Sequence, residues 1–148
     1  MSKIMRGARV GKAVAALAAG AGLVLLTVPS AGAAEAAAPA ISVSPASGLS
    51  NGQAVTVTGT GFPAGAQVGA SECSNGTWPD VRCDSADGVS ATADASGGFS
   101  VTLTVRTAFQ GAGQPAGPVD CLSAPGCAVR AGDTTGAVVA APVALAFS

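Results

Sequence analysis

The sequence has no histidine and no tyrosine, and aromatic residues make up only 3% of its 148 residues. Histidine is the commonest general base of enzymes and a common metal ligand, so histidine-based triads and histidine metal sites are excluded. The remaining residues offer no recognisable pairing of a nucleophile with a base. We therefore predict no catalytic residues and no metal site, and a protein that binds rather than catalyses.

Basic residues are scarce outside the first twelve positions, which carry four of them and no acid: Lys3, Arg6, Arg9 and Lys12. An apolar run over residues 13–28 follows, and then a stretch of small residues over 29–38. The order positive, apolar, small is typical of a secretory signal peptide. A membrane anchor is the alternative, but the run is shorter than the roughly 20 residues that a bilayer requires.

Two motifs of small residues compete as the cleavage site, Ala31-Gly32-Ala33 and Ala34-Glu35-Ala36. We favour the second, because strand-like sequence begins almost directly after it. The predicted organisation is a signal peptide over residues 1–36 and one secreted domain over residues 37–148, which has no membrane segment once the signal is removed.

The predicted mature chain is acidic, with three arginines against seven carboxylates, a net charge of −4, and it has no lysine. Proteins hold the DNA backbone through several lysine and arginine contacts to phosphate. Direct binding of nucleic acid by the polypeptide is therefore not expected.

Four cysteines, Cys73, Cys83, Cys121 and Cys127, are an even number in an exported chain, which favours two disulfides. A four-cysteine zinc site is the alternative. The spacings Cys73-x9-Cys83 and Cys121-x5-Cys127 both miss the usual zinc spacing of about two to four residues.

From residue 40 onward apolar residues alternate with polar ones, and turn residues interrupt them about every eight to twelve positions, which is typical of a sandwich of short strands. In the clearest strand, near 98–106, Phe99, Val101, Leu103 and Val105 share one face. The other predicted strands lie near 41–45, 53–60, 66–73, 81–83, 89–94, 119–122, 127–131 and 137–147. We predict an all-β fold, a seven-stranded antiparallel immunoglobulin-like sandwich with additional short hairpin pieces.

Four further residues receive structural interpretations. Phe109 is assigned to the core, and Pro142 to an edge or a bulge of the last strand, since proline cannot donate to a β-ladder. Glu72 and Asp84 lie beside cysteines like an acid–base pair. With no partner in view, we interpret them as surface charges.

The segment Ala38–Gln53 closely resembles the mature start of the neocarzinostatin family. The resemblance continues through the Cys73 and Cys83 pair, residues 103–109 and residues 115–121, and it ends at 143–147. It covers essentially the whole predicted mature chain, with its pieces in the right order.

This resemblance implies an immunoglobulin-like fold with disulfides Cys73–Cys83 and Cys121–Cys127. It also implies a secreted apoprotein that binds a labile enediyne chromophore non-covalently, in a cleft beside the hairpin held by the first disulfide. In the family the chromophore, not the polypeptide, cuts DNA and gives antibacterial and antitumour activity. We therefore expect a monomer whose partner is a hydrophobic small molecule and which reaches DNA only indirectly.

The resemblance also suggests the ligand-binding residues: Asn75, Trp78, Val81, Gly88 and Ala128. Asn75 and Gly88 replace two aromatic residues of neocarzinostatin, and Ala128 replaces a glutamine. Val81 matches an apolar cleft position. Trp78 either supplies part of the lost ring surface or is a rim residue that covers the first disulfide. The losses argue against neocarzinostatin's own chromophore. They leave one alternative open, a secreted or cell-envelope interaction module that has lost the ligand.

Overall fold

The computed structural model describes residues 36–148, which belong to one compact unit and contain ten β-strands and no helix. No helix in that range is therefore long and apolar enough to cross a membrane. The predicted signal peptide, apart from its last residue, lies outside the described residues. The strands are β1 (Ala40–Ser44), β2 (Gln53–Thr60), β3 (Gln67–Ser74), β4 (Cys83–Asp84), β5 (Val89–Thr92), β6 (Phe99–Val105), β7 (Ala108–Ala112), β8 (Gly117–Asp120), β9 (Cys127–Asp133) and β10 (Val143–Leu145).

A small antiparallel sheet has the strand order β1-β2-β6 and follows the predicted alternation. Val57, at its centre, lies opposite Val43 on one side and Val101 on the other. The inner face is apolar, whereas the outer face carries hydroxyl groups such as those of Ser42 and Thr58, 2.6 Å apart. Period-two alternation alone accounts for this sheet.

One glycine of the small sheet is required by packing. Gly59 lies opposite Phe99 in the register, and a Cβ at Gly59 would approach the Phe99 ring to 2.0 Å. The ring therefore occupies the space that a side chain at position 59 would fill. It also packs edge-on against Phe62, with 5.3 Å between the ring centroids.

The large sheet has seven strands in the order β10-β9-β3-β4-β7-β8, with β5 paired to β3 as well. Strand β3 pairs with β9 along one edge and with both β4 and β5 along the other. Between the pairs Cys73↔Cys83 and Ala70↔Val89, residues 84–88 are not paired with β3. We call this segment the 84–88 excursion.

The inner faces of the two sheets form the core, with buried residues such as Val57 and Leu103 from one and Val68 and Val129 from the other. A second cluster joins Phe109 to Val119 and to the Cys121–Cys127 disulfide. The other disulfide joins Cys73 to Cys83. The all-β sandwich, both cysteine pairings and the core position of Phe109 are confirmed.

Strand β7 was not predicted. Gly111 in this strand and Gly113 just after it suggest a loop, but Gly111 is there because β7 runs against Arg82: a Cβ at Gly111 would lie 2.6 Å from the Arg82 Cβ. The last strand is shorter than predicted, since only Val143–Leu145 forms a ladder, and this ladder is with β9 alone. Pro142 directly precedes that edge strand, in agreement with its missing donor.

Candidate ligand-binding site

A cavity of about 360 Å³ lies on the outer face of the large sheet. We call it the outer-face cavity. Strands β3 and β9 form its floor, and the 84–88 excursion with β5 forms one wall. The opposite wall follows the end of β9. Its lining residues are Gly69, Ala70, Ser71, Asp84, Ser85, Gly88, Val89, Arg130, Ala131, Gly132, Asp133, Thr134 and Val139.

Two glycines lie on the floor of the cavity. Gly69 of β3 and Gly132 of β9 are directly paired, and both line the cavity. A Cβ added at Gly69 would meet only the Val89 carbonyl oxygen, at 4.0 Å, whereas a Cβ added at Gly132 would lie 3.0 Å from the Val138 carbonyl oxygen. The space above Gly69 is therefore open to a flat apolar molecule, and the volume of the cavity is at the lower end of the range for small-molecule sites.

Hydrogen bonds hold the 84–88 excursion in place. Asp84 Oδ1 accepts from the backbone N–H groups of Ala86, at 2.9 Å, and Asp87, at 3.3 Å. The Arg106 guanidinium donates to Asp87 Oδ2 at 2.5 Å. This contact with Asp87 also raises the pKa of Arg106. These hydrogen bonds fix the conformation of the cavity wall.

The carboxyl group of Glu72 is buried on the core side of β3, with the residue only 1% exposed. Its Oε2 accepts from the Arg106 backbone N–H at 2.7 Å, and its Oε1 lies 3.4 Å from the disulfide sulfur of Cys121. Burial raises the pKa of Glu72 to about 7, although the Arg106 N–H opposes the shift.

The interpretation of Glu72 and Asp84 as surface charges is wrong. Asp84 is only 4% exposed, and Glu72 is more deeply buried still. Backbone N–H groups replace water around both carboxyl groups, which is the usual condition for burying such a group. Those donors come from Arg106 and from the 84–88 excursion, which only the folded chain brings close to the two carboxyl groups.

Glu72, Cys121 and Cys127 bring three atoms that are potential metal ligands within 4.8 Å of one another. Both cysteines, however, are consumed in the Cys121–Cys127 disulfide. Cysteine binds metal as a thiolate, so this group of residues does not provide a metal-binding set.

Arg130 is the lining residue that the sequence analysis missed. It lies on β9 opposite Ser71, and its Nη2 donates to the carbonyl oxygen of Gly76 at 2.7 Å. Its Nε is buried and has no hydrogen-bond partner among the described residues. The sequence does mark this residue, because Arg130 is the single charge within the otherwise apolar run Cys127–Ala131. A charged residue is rarely buried in a strand unless it has a polar partner.

Of the five predicted ligand residues, only Gly88 lines the outer-face cavity. Ala128 and Val81 are buried, at 0% and 1% exposure, and Trp78 is 71% exposed in the loop between β3 and β4. Asn75 is half-buried, and its backbone N–H donates to the Gly126 carbonyl. A ligand-binding role for these residues stays a prediction.

A second cavity, of about 310 Å³, lies between the β3–β4 loop and the segment that follows β8. Its lining includes Arg82, whose Nε donates to the Pro115 carbonyl oxygen at 2.9 Å, and the carboxylates Asp80 and Asp120. None of the five predicted ligand residues lines this cavity. The outer-face cavity, which has the glycine floor and includes Gly88, is the better candidate site.

Residues 41–147 match the model of the Neocarzinostatin family. The antitumor antibiotic C-1027 apoprotein of Streptomyces globisporus is 44% identical over 101 residues, which are 66% of this chain and 69% of that protein. Actinoxanthin of the same organism is 43% identical over the same shares of the two chains. The structure of macromomycin superposes with a TM-score of 0.63 and 33% identity, over 73% of this chain and 99% of its own. This chain belongs to the neocarzinostatin family.

Proposed function

We propose that this protein is a secreted, monomeric carrier apoprotein that holds a hydrophobic, aromatic small molecule of the enediyne type non-covalently in the outer-face cavity. The observation that carries the proposal is the open floor above Gly69, on a disulfide-held sheet of a chain that belongs to this family. A preformed, partly apolar cavity of this kind suits a flat guest.

The protein's own residues would bind and shield the guest. Val89 and Val139 offer apolar contact on opposite walls, and the bare floor lets the guest exclude water from one of its faces. The bound chromophore would supply the reactive chemistry that cleaves DNA. The sequence offers no histidine to support catalysis, in agreement with a carrier rather than an enzyme.

DNA would be reached only through the guest. The three arginines of residues 37–148 are engaged within the protein: Arg82 with the Pro115 carbonyl, Arg106 with Asp87, and Arg130 with the Gly76 carbonyl. With a net charge of −4 we expect no gel shift of duplex DNA by the ligand-free protein, even at low salt. A shift that weakens as salt is added would contradict this expectation.

Secretion would follow removal of residues 1–36. The proposed mature chain begins at Ala37, and a Cβ at Gly61 would come within 2.8 Å of the Ala37 carbonyl oxygen. The Ala37 backbone therefore lies against Gly61, directly after β2, which is consistent with a mature chain that begins no later than Ala37. N-terminal sequencing of the protein from culture medium should read Ala-Ala-Pro-Ala, whereas an uncleaved start would overturn this step.

Native mass spectrometry of the protein secreted by its own host tests the proposal. We expect a species heavier than the polypeptide that returns to the polypeptide mass on denaturation, because the guest is not covalently bound. Finding the bare polypeptide alone would overturn the carrier function and favour the interaction module.

A blocking variant links the added mass to the cavity. Gly69→Ile places a side chain on the open floor and should abolish the heavier species. Ser42→Ile makes a comparable change on the exposed outer face of the small sheet and should retain it. Equal loss in both variants, or in neither, would place the guest elsewhere.

A further inference from the structure

We propose that Arg130 determines which ligands the outer-face cavity accepts. Its side chain closes one end of the cavity and offers a guanidinium donor to the ligand. The preferred ligand is thus an apolar molecule that carries a carbonyl-type hydrogen-bond acceptor rather than an anionic one. This inference rests on the proposed carrier function and specifies the chemistry of its guest.

The position of Arg130 closes the cavity. Because side chains alternate along a strand, Ala128, Arg130 and Gly132 project from the same face of β9. Gly132 lines the cavity, whereas Ala128, two residues away, is fully buried. Arg130 lies between them and reaches the Gly76 carbonyl in the loop after β3. The side chain therefore crosses the outer face and forms the end wall on the side of that loop.

The hydrogen bonding of Arg130 is incomplete. A guanidinium group has five N–H donors, and Nη2 gives one to the Gly76 oxygen. Nε is buried with no acceptor among the described residues. A buried donor without a partner is unfavourable and is rare in native proteins. Because Arg130 lines the outer-face cavity, a ligand acceptor there can take a guanidinium donor that the Gly76 carbonyl leaves unused.

The charges around the cavity favour an uncharged acceptor over an anion. Asp84 and Asp133 line the same cavity as Arg130, so an anion that approaches the guanidinium also meets two carboxylates. Asp133 is held ionised, because donors from Thr135 and from the Val138 N–H lower its pKa. A ketone, ester or amide oxygen can accept from the guanidinium without this repulsion.

Two matched fluorescent probes test the inference on the secreted protein. One is 6-propionyl-2-(dimethylamino)naphthalene, a neutral naphthyl ketone, and the other is 6-propyl-2-(dimethylamino)naphthalene, in which a methylene group replaces the carbonyl group. We expect the protein to prefer the ketone by about tenfold in Kd, the size of effect that one charge-assisted hydrogen bond gives. The ketone should also lose affinity in Arg130→Met, because methionine keeps the apolar stem and removes every donor.

The matched control is Arg82→Met, which makes the same change in charge outside this cavity. It should retain the tenfold ketone preference, whereas Arg130→Met should bind the two probes about equally. In Arg130→Met the emission of the bound ketone should also move to the blue, since its carbonyl loses a hydrogen bond. Circular dichroism of both variants checks that they are folded.

The outcomes separate this inference from the function on which it rests. If the unmodified protein binds both probes equally, or if Arg130→Met keeps the preference, the role of Arg130 is overturned and the carrier function stands. If neither probe binds, both the role of Arg130 and the carrier function lose their support.

Discussion

The two sheets differ most in their outer faces. In the small sheet, hydroxyl-bearing residues cover the outer face, and no strand of that sheet contains a charged residue. On the outer face of the large sheet, β9 carries the charged residue Arg130, and the ladder beside β3 is interrupted by the 84–88 excursion. The regular sheet supplies a framework, whereas the interruptions of the other sheet create the cavity.

This difference predicts a separation of roles. Substitutions in the small sheet should change the free energy of unfolding and leave ligand affinity unchanged. Substitutions on the outer face of the large sheet should do the opposite. The variants below test that separation, and the most damaging change comes first.

Leu103→Ala should cause the largest loss of stability. Leu103 is 1% exposed on β6 of the small sheet, in the main core. Truncating a buried leucine costs about 3 kcal/mol through lost burial and the cavity left behind. Urea unfolding should show this loss, while the folded variant binds the ketone probe with unchanged Kd. A parallel loss of affinity would contradict the separation.

Glu72→Gln should remove a pH dependence of stability. The pKa of Glu72 is raised from 4.5 to about 7, so between these values the native state binds more protons than the unfolded state. Stability should therefore fall as the pH rises from 4.5 to 7 and stay level above it. The loss attributable to this residue is on the order of 3 kcal/mol.

Glutamine keeps an acceptor for the Arg106 N–H but carries no charge. The Glu72→Gln variant should thus be more stable than the unmodified protein at pH 8. Asp94→Asn is the control: its pKa is lowered, chiefly by the Ser96 hydroxyl, so its stabilising effect is lost only on acidification below the usual aspartate range. An unchanged slope in Glu72→Gln would show that Glu72 is ionised throughout.

Removing the two disulfides one at a time should show that they have different effects on ligand affinity. Removing Cys73–Cys83 or Cys121–Cys127 by paired alanine substitutions should cost roughly 2–3 kcal/mol each, as expected for such short loops. Only the first pair anchors β4, which leads into the cavity wall. Ketone affinity should therefore fall without Cys73–Cys83 and persist without the other bridge. Equal effects on affinity would refute this assignment.

Substituting two serines by alanine should give the smallest changes in stability. Ser42→Ala removes an exposed hydroxyl pair with Thr58 and should cost about 0.5 kcal/mol without affecting binding. Ser71→Ala, on the cavity floor beside Arg130, should leave stability almost unchanged and alter the Kd of the ketone probe. Calorimetry of both variants measures the unfolding free energy and the Kd of the ketone probe, and the first should change only in Ser42→Ala and the second only in Ser71→Ala.

Regular patterning was enough to predict the framework. The range 53–60 coincides with β2, and the range 98–106 encloses β6, because one buried face fixes both periodicity and register. The cysteine pairing came from the family resemblance rather than from patterning. Strand β7 was missed, because Gly111 resembles a turn residue in the sequence, and only the structure shows that Arg82 lies too close for a side chain there.

The chemistry of the site was harder to predict. Glu72 depends on a donor at Arg106, and Arg130 on an acceptor at Gly76, separations of 34 and 54 residues in the sequence. No local sequence pattern indicates partners so far away. Glu72 was therefore assigned to the surface, and Arg130 was overlooked. Gly88 was found only because the family resemblance pointed to its position.

An NMR titration tests most directly whether the guest lies on the outer face of the large sheet. Amide chemical shifts of the ¹⁵N-labelled protein would be followed as the naphthyl ketone is added. Shifts concentrated at Gly69, Ser71, Gly88 and Gly132, with β1, β2 and β6 unaffected, are the predicted result. Shifts spread over the small sheet, or no saturable shifts at all, would contradict the account.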